Sequence, residues 1–346
     1  MENIYNLSKT DLENYFLSIG DKKFRAVQIL EWLYRKKVTS FDEMTNLSKL
    51  SLQVLKEKFV IEPLKLKDKY VSKDGTIKYL FELKDGNIIE TVLMRHNYGN
   101  SVCVTSQVGC NMKCSFCASG ELGKVRDLTL AEMVLQVLYV DNELNKEEQR
   151  VSNIVVMGIG EPFDNYDTLL KFLETVNFPK GLEIGARHIT VSTSGIVPKI
   201  KEFANFPLQI NLAISLHAAT NPLRSKIMRI NKAYPIEELM DAIKYYLDKT
   251  NRRVTFEYIL IKGVNDSYQD AMDLIKLVRG VNCYINLIPY NEVETNPYKS
   301  TTHEEAEKFF KVLFDHGINA TLRVKHGDDV AAACGQLRAK AMKGND

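Results

Sequence analysis

From residue 101 onward, short β-branched runs alternate with amphipathic stretches about six times. The runs are SVCVTS, NIVVMG, HITVST, INLAISL, VTFEYIL and CYINLIP. Between them, LTLAEMVLQVLYVDNEL, PIEELMDAIKYYLDK and SYQDAMDLIKLVRG carry helical spacing, the first two opening at Thr129 and Pro235. A strand, helix, parallel strand unit repeated in this way curls its sheet, because the crossovers are right-handed. The fold class expected is therefore α/β, a partial (β/α)6 barrel. Ligands in that architecture sit at the C-terminal ends of the strands.

The barrel core is placed at residues 96–330. Ahead of it, residues 1–58 read as a small helical accessory domain, with Ile29, Leu30, Trp32 and Leu33 spaced for one face and Leu47, Leu50, Leu52 and Leu55 for another. Residues 59–95 read as a β-hairpin extension, in which YLFEL and IIETVLM flank the turn KDGN. Residues 331–346 form a C-terminal segment.

A chain of 346 residues with 45% hydrophobic content can bury a large core. Its first residues lack the basic and apolar pattern of a leader, and no apolar run reaches membrane-spanning length. Six cysteines in a chain of this size do not read as a disulfide scaffold, so a reducing, cytoplasmic setting is expected. The net charge of +2 gives no global field, so a polyanion would have to be held by local patches. Two are candidates: Lys22, Lys23, Arg25, Arg35, Lys36 and Lys37, and Arg323, Lys325, Arg338, Lys340 and Lys343. On charge alone each reads as a solvated helix face.

Cys110, Cys114 and Cys117 stand in GCNMKCSFCASG with CxxxCxxC spacing. Three thiolates can hold an iron–sulfur cube and leave one iron free to chelate a reactant, whereas ferredoxin-type sites close all four corners. The alternative, a structural zinc loop, calls for a fourth protein ligand and paired CxxC arms. Phe116 can shield a cluster or flank a ligand. Further polar groups fall at the ends of the strand runs: GIGEP with Gly160 and Glu161, VSTSG with Ser192, ISLH with Ser215 and His217, and LIPYN with Asn291. Each alone reads as a turn residue or a satisfied core group, but the architecture aims all of them at one cavity. Of the other cysteines, Cys283 and Cys103 read as small buried hydrophobes. Cys334, among alanines and before Gly335, reads as an exposed nucleophile.

In order along the chain, IETVLM, SVCVTSQVGCNMKCSFCASG, VMGIGEP, VSTSGIVP, ISLHA, NLIPYN and AACGQL resemble the RlmN and Cfr family of radical S-adenosylmethionine RNA adenine methyltransferases. The likeness runs from about residue 85 to 340, and the N-terminal bundle is also of the family's type. Pro162 stands where Cfr-type enzymes have alanine, which favours methylation at carbon 2 of adenine. Carbon 8 is the alternative, and Ile159 replaces the methionine of the usual GMGEP.

The resemblance implies a radical SAM barrel with a [4Fe–4S] cluster on Cys110, Cys114 and Cys117. It places S-adenosylmethionine against Gly160, Glu161, Ser192, Ser215, Leu216, His217 and Asn291. Adenine carbon 2 has no acidic proton, so polar methyl transfer is blocked and a radical route is required. By resemblance, Cys334 takes a methyl group from one S-adenosylmethionine, and its methyl carbon becomes the radical that adds to the base. Cys103 then attacks Cys334 to release the RNA, leaving a disulfide, and Glu90 serves as the acid–base residue. The implied substrates are an adenosine of 23S ribosomal RNA and one in transfer RNA, presented unstacked. The implied partners are an electron donor such as flavodoxin and a thiol reductant, with the protein a monomer. Two other classes fit the cysteines less fully: a radical activase or maturase, which needs no Cys103–Cys334 pair, and a non-enzymatic cluster or zinc protein that binds RNA.

Overall fold

The computed structural model describes residues 1–121, 123–293, 296–323, 327–332 and 335–337, without the side chain of Asp328. The N-terminal region folds into α1 (Lys9–Ser18), α2 (Phe24–Leu30) and α3 (Lys49–Lys58). Ser8 starts α1 by accepting from the Asp11 amide while the Asp11 carboxylate accepts from Ser8, a reciprocal cap. Phe16, Ile29, Leu33 and Leu55 are fully buried between the helices, as their spacing requires. Leu50 is not. Ser48 caps α3, which turns Leu50 in the first turn outward, 72% exposed.

One sheet dominates the rest. Its strands are β1 (Lys65–Val71), β2 (Ile77–Glu82), β3 (Ile88–His96), β4 (Gly99–Cys103), β5 (Val151–Val156), β6 (Ile189–Thr193), β7 (Asn211–Ser215), β8 (Val254–Leu260), β9 (Cys283–Pro289) and β10 (Ala320–Leu322). Their order in space is their order in the chain. β1 to β4 pair antiparallel, and β4 to β10 pair parallel. The six sequence runs are thus β4 to β9. β10 adds a seventh parallel strand, too short to read from ATL alone. The hairpin is continuous with the barrel sheet, since Val92 of β3 pairs with Cys103 of β4.

Helices α4 (Leu130–Asn145), α5 (Tyr166–Asn177), α6 (Val197–Phe203), α7 (Asn221–Ile227), α8 (Ile236–Thr250), α9 (Tyr268–Val278) and α10 (His303–Asp315) connect the strands. Thr129 opens α4 with a capping box to Glu132, and Pro235 precedes α8, as the sequence reading placed them. Val191, Leu212, Phe256 and Ile285 point to the helical side and are buried, each stabilising the fold by about 1.5–3 kcal/mol. Their neighbours Ser192, Glu257 and Asn286 face the barrel interior.

After β4 the chain leaves the sheet and returns to α4 through a closed loop. Gln107–Val108 pairs antiparallel with Arg126–Asp127, and these four residues form its neck. Gly109 follows at φ +74, and a Cβ there would fall on the Gly123 carbonyl oxygen. Gly109→Ala is expected to destabilise the protein by at least about 2 kcal/mol, since the left-handed conformation alone costs an L-residue about 1–2 kcal/mol. Urea unfolding measures this, and unchanged stability would mean that the neck can open without cost.

Candidate active site

The loop beyond this neck carries Cys110, Cys114 and Cys117. It is fixed from three sides: Cys110 N donates to Gly123 O (3.2 Å), Lys124 N to Asn111 Oδ1 (3.1 Å) and Ser115 N to Ile227 O at the end of α7 (2.9 Å). All three cysteines line one cavity with Glu161, Ser192, Ser215 and His217. Burial pushes the Cys110 thiol up to about 12, and burial followed by the two neighbouring cysteines raises Cys114 well above its ordinary value. Thiols so placed ionise only against a bound cation. Among the described residues no three His, Cys, Asp or Glu side chains converge on a single ion. A cube differs, because each thiolate binds a different iron and the sulfurs must stand apart. The three side chains therefore fit a cluster better than a zinc ion.

The second wall is the turn after β5. Gly158 and Gly160 do more than open backbone to a ligand. A Cβ on Gly158 would press on Thr105 N and Val104 O at 2.8 Å, and one on Gly160 (φ +110) would press on Gln107 Cβ at 2.6 Å. The turn thus locks onto the residues that lead into the cysteine loop, with Ser106 N and Gln107 N both donating to Ile159 O. Glu161 is buried. Its Oε1 accepts from Phe163 N (3.0 Å) and its Oε2 from Ser194 N (2.7 Å), while its own N donates to Gln107 Oε1 (2.8 Å). Burial raises its pKa against these amide donors.

Ser192 and Ser215 meet across β6 and β7 at 3.4 Å between their Oγ atoms. His217 is in the left-handed region (φ 58), and its Nδ1 accepts from Ile259 N at 3.1 Å, so Nε2 carries the proton. Burial, reinforced by Arg224, pushes its pKa down to about 3. Leu216 and Asn291 are buried but do not contribute to the cavity wall.

Glu90 and Cys103 are also buried. Val92 pairs with Cys103, so by strand alternation Glu90, two residues before Val92, shares the interior face. Residues 327–332 and 335–337, together the strap, lie over this face. At its start Asp329 accepts from Ser72 Oγ (2.5 Å) and Lys73 N (3.3 Å), and Gly327 N donates to Asp74 Oδ2 (3.0 Å). Lys78 Nζ then donates to Ala331 O at 3.2 Å, and Ala332 packs with Val92, Cys103 and Ile159. At its far end Ala118 N donates to Gly335 O and Ser119 Oγ to Leu337 O, both 2.9 Å. Cys334 lies outside the described residues.

Of the basic residues read as surface patches, Arg323 instead lines the cavity, and its charge acts on Glu257. Lys37 is paired with Asp141 of α4, Arg25 lies 3.4 Å from Asp21, and Lys36 covers the Trp32 ring at 3.5 Å. Lys325, Arg338, Lys340 and Lys343 lie outside the described residues. Sequence reading missed Arg224, Glu257 and Asn286. Asn286 Nδ2 donates to Glu257 Oε2 at 2.8 Å inside the barrel. The one available signal was a carboxylate in the middle of an otherwise apolar strand, VTFEYIL.

Because the depressed pKa of His217 keeps it neutral when folded, the stability tied to it is complete above about pH 6.5. It is lost as pH falls toward 3, by about 1.36 kcal/mol per unit. His217→Gln should flatten this acid limb in unfolding curves between pH 6 and 4. A limb as steep as the parent's would mean that His217 is not buried neutral.

The radical SAM superfamily matches residues 104–278, and a ribosomal RNA large subunit methyltransferase N-terminal domain matches residues 2–61. The chain is 57% identical over 343 residues to a probable dual-specificity RNA methyltransferase RlmN of Geobacillus kaustophilus (strain HTA426), covering 99% of this chain and 94% of that protein. A relative of the same description in Spiroplasma citri is 56% identical over 340 residues, 98% of each. The crystal structure of a radical SAM methyltransferase from Sphaerobacter thermophilus matches with a TM-score of 0.92 at 43% identity, covering 98% of this chain and all of that one. The chain belongs to the RlmN family of radical SAM RNA methyltransferases, enzymes that work with a [4Fe–4S] cluster and S-adenosylmethionine.

Proposed function

We propose that this enzyme methylates carbon 2 of an adenosine in 23S ribosomal RNA and in transfer RNA, with Cys334 as the methyl carrier and Cys103 as the resolving thiol. The observation that carries the reading is the strap. Ala332 and Gly335, on either side of position 334, pack against Cys103 and line the cysteine-loop cavity respectively. Pro162 and the dual-specificity relatives favour carbon 2 and the two RNA classes.

In this reading Cys110, Cys114 and Cys117 hold the cluster, which when bound supplies the electron that cleaves S-adenosylmethionine. Gly160, Glu161, Ser192, Ser215 and His217 orient that molecule, Leu216 lends main chain, and Asn291 supports the rim. The Cys334 thiolate first displaces the methyl group of one S-adenosylmethionine, forming a carbon–sulfur bond as S-adenosylhomocysteine leaves. After the methyl carbon has joined the base, Glu90 holds the acid–base position on the interior face. Cys103 thiolate then attacks the Cys334 sulfur. The carbon–sulfur bond would break with its electron pair left on the methylene carbon, which becomes methyl as the carbon 2 proton is moved to it through Glu90 and one electron goes back by way of the Cys110, Cys114 and Cys117 loop. The disulfide formed would then take two electrons from a thiol reductant. A flavodoxin-like donor, a cytoplasmic setting and a monomeric state complete the reading. Among the described residues no helix is long and apolar enough to cross a membrane.

Cys334→Ala is expected to abolish methyl loading and RNA methylation, whereas Cys103→Ala should load and add but trap RNA on Cys334. Tryptic mass spectrometry and a denaturing gel read both, and turnover by Cys334→Ala would refute the carrier. Glu161→Ala removes the carboxylate that would accept a charge-assisted hydrogen bond from the amino group of S-adenosylmethionine, worth about 1.5–3 kcal/mol, so that molecule should bind at least about tenfold more weakly with the cluster retained. Unchanged titration curves would make the GIGEP turn purely structural.

A further inference from the structure

Among the described residues, Arg224 is the largest fully buried side chain. Its Nε donates to Leu216 O (3.2 Å), Nη1 to Asn231 Oδ1 (3.0 Å), and Nη2 to Ser194 O (2.7 Å) and Ser215 O (3.2 Å). These acceptors are neutral, and among the described residues Arg224 makes no ion pair. A buried cation without an anion costs several kcal/mol, so the fold is incomplete electrostatically as it stands. The source of negative charge that acts on it is the cysteine loop. Ser115 N binds the Ile227 carbonyl one turn beyond Arg224 on α7, and Cys114 is the group whose charge acts on the guanidinium.

Tyr290, just after β9, reaches the same loop from the same end of the sheet. It is 1% exposed and packs with Phe116 and Ile259 in the apolar cluster that also takes Cys114 and Cys117. Its hydroxyl proton has no acceptor among the described residues; the Val293 amide faces the oxygen as a donor, and Cys117 is the cysteine whose charge acts on it. A buried hydroxyl left without an acceptor is costly unless a ligand supplies one.

Both deficits vanish if an anionic, acceptor-rich group occupies the space between the three cysteines. A cube held by thiolates is anionic, and reduction adds one more negative charge. Hydrogen bonds to its sulfurs and nearby positive charge raise its potential. We propose that Arg224 and Tyr290 are positioning residues that set the reduction potential of the cluster, Arg224 as its buried countercharge and Tyr290 as a hydrogen-bond donor to its sulfur. This rests on the assignment of Cys110, Cys114 and Cys117 as the ligands.

The test is a potentiometric titration of cluster-loaded protein, the reduced state followed by electron paramagnetic resonance, with iron and sulfide measured in every sample. Arg224→Gln should lower the midpoint so that the ratio of reduced to oxidised cluster at a fixed potential falls at least about tenfold, equal to about 59 mV for one electron. Tyr290→Phe should lower the ratio about threefold, as for loss of one hydrogen bond. Arg224→Lys, which keeps the charge, should stay close to the parent. Midpoints equal to the parent's in both Tyr290→Phe and Arg224→Gln, at full iron content, would overturn the proposal. If Arg224→Gln fails to hold a cluster, Tyr290→Phe decides alone, because the ring and its packing remain. Iron retained after Cys110, Cys114 or Cys117 becomes alanine would instead refute the ligand assignment.

Discussion

The structure depends on how the chain after β4 and the turn after β5 interlock beyond the last sheet pair. Gly158 N donates to Val104 O, Ile159 N to Thr105 Oγ1, and Ile159 O receives two amides from residues 106 and 107. Helix α4 secures the same stretch from outside, since Gln136 accepts from Thr105 N and donates to Thr105 O. The cysteine loop and the Glu161 carboxylate therefore share one rigid base. That rigidity is what a site with two ligands in fixed relation requires, and two glycines without side chains make the approach possible.

Much of this was legible in the sequence. Six β-branched runs separated by amphipathic stretches specified the parallel sheet, and the cysteine spacing and strand-end polar residues located the cavity. What escaped reading has a physical cause in each instance. β10 has three residues and no periodicity to detect. Arg323 was grouped with surface cations because a charged residue after a short strand carries no sign of which way it faces. Arg224 carries no sign of burial within NPLRSKIMRI, since its carbonyl partners are Ser194 just after β6 and Ser215 and Leu216 at the end of β7. The glycines of GIGEP were read as making room for a ligand, and the contacts with residues 104 to 107 show that they first make room for the chain itself.

The cavity's electrostatics are arranged in the same way. His217 is kept neutral by burial, the Glu161 pKa is raised by burial against two amide donors, and that of Glu257 is raised by burial against Arg323 and Asn286. Burial strengthens each of these interactions and penalises any that is left incomplete. A pocket built from groups with opposed tendencies discriminates sharply between ligands that satisfy them and ligands that do not.

The strap has a thermodynamic character unlike that of the sheet beneath it. It is held to the turn at residues 72–76, to Lys78 and to residues 118 and 119 by a handful of hydrogen bonds, each contributing about 0.5–1.5 kcal/mol, and by the burial of Ala332 and Leu337. Its detachment therefore costs less than parting the strands it covers, which are tied by a continuous ladder. The interior face can thus be uncovered and covered again within the native state, and hydrogen exchange along residues 327–332 should run far ahead of that in β4 to β9.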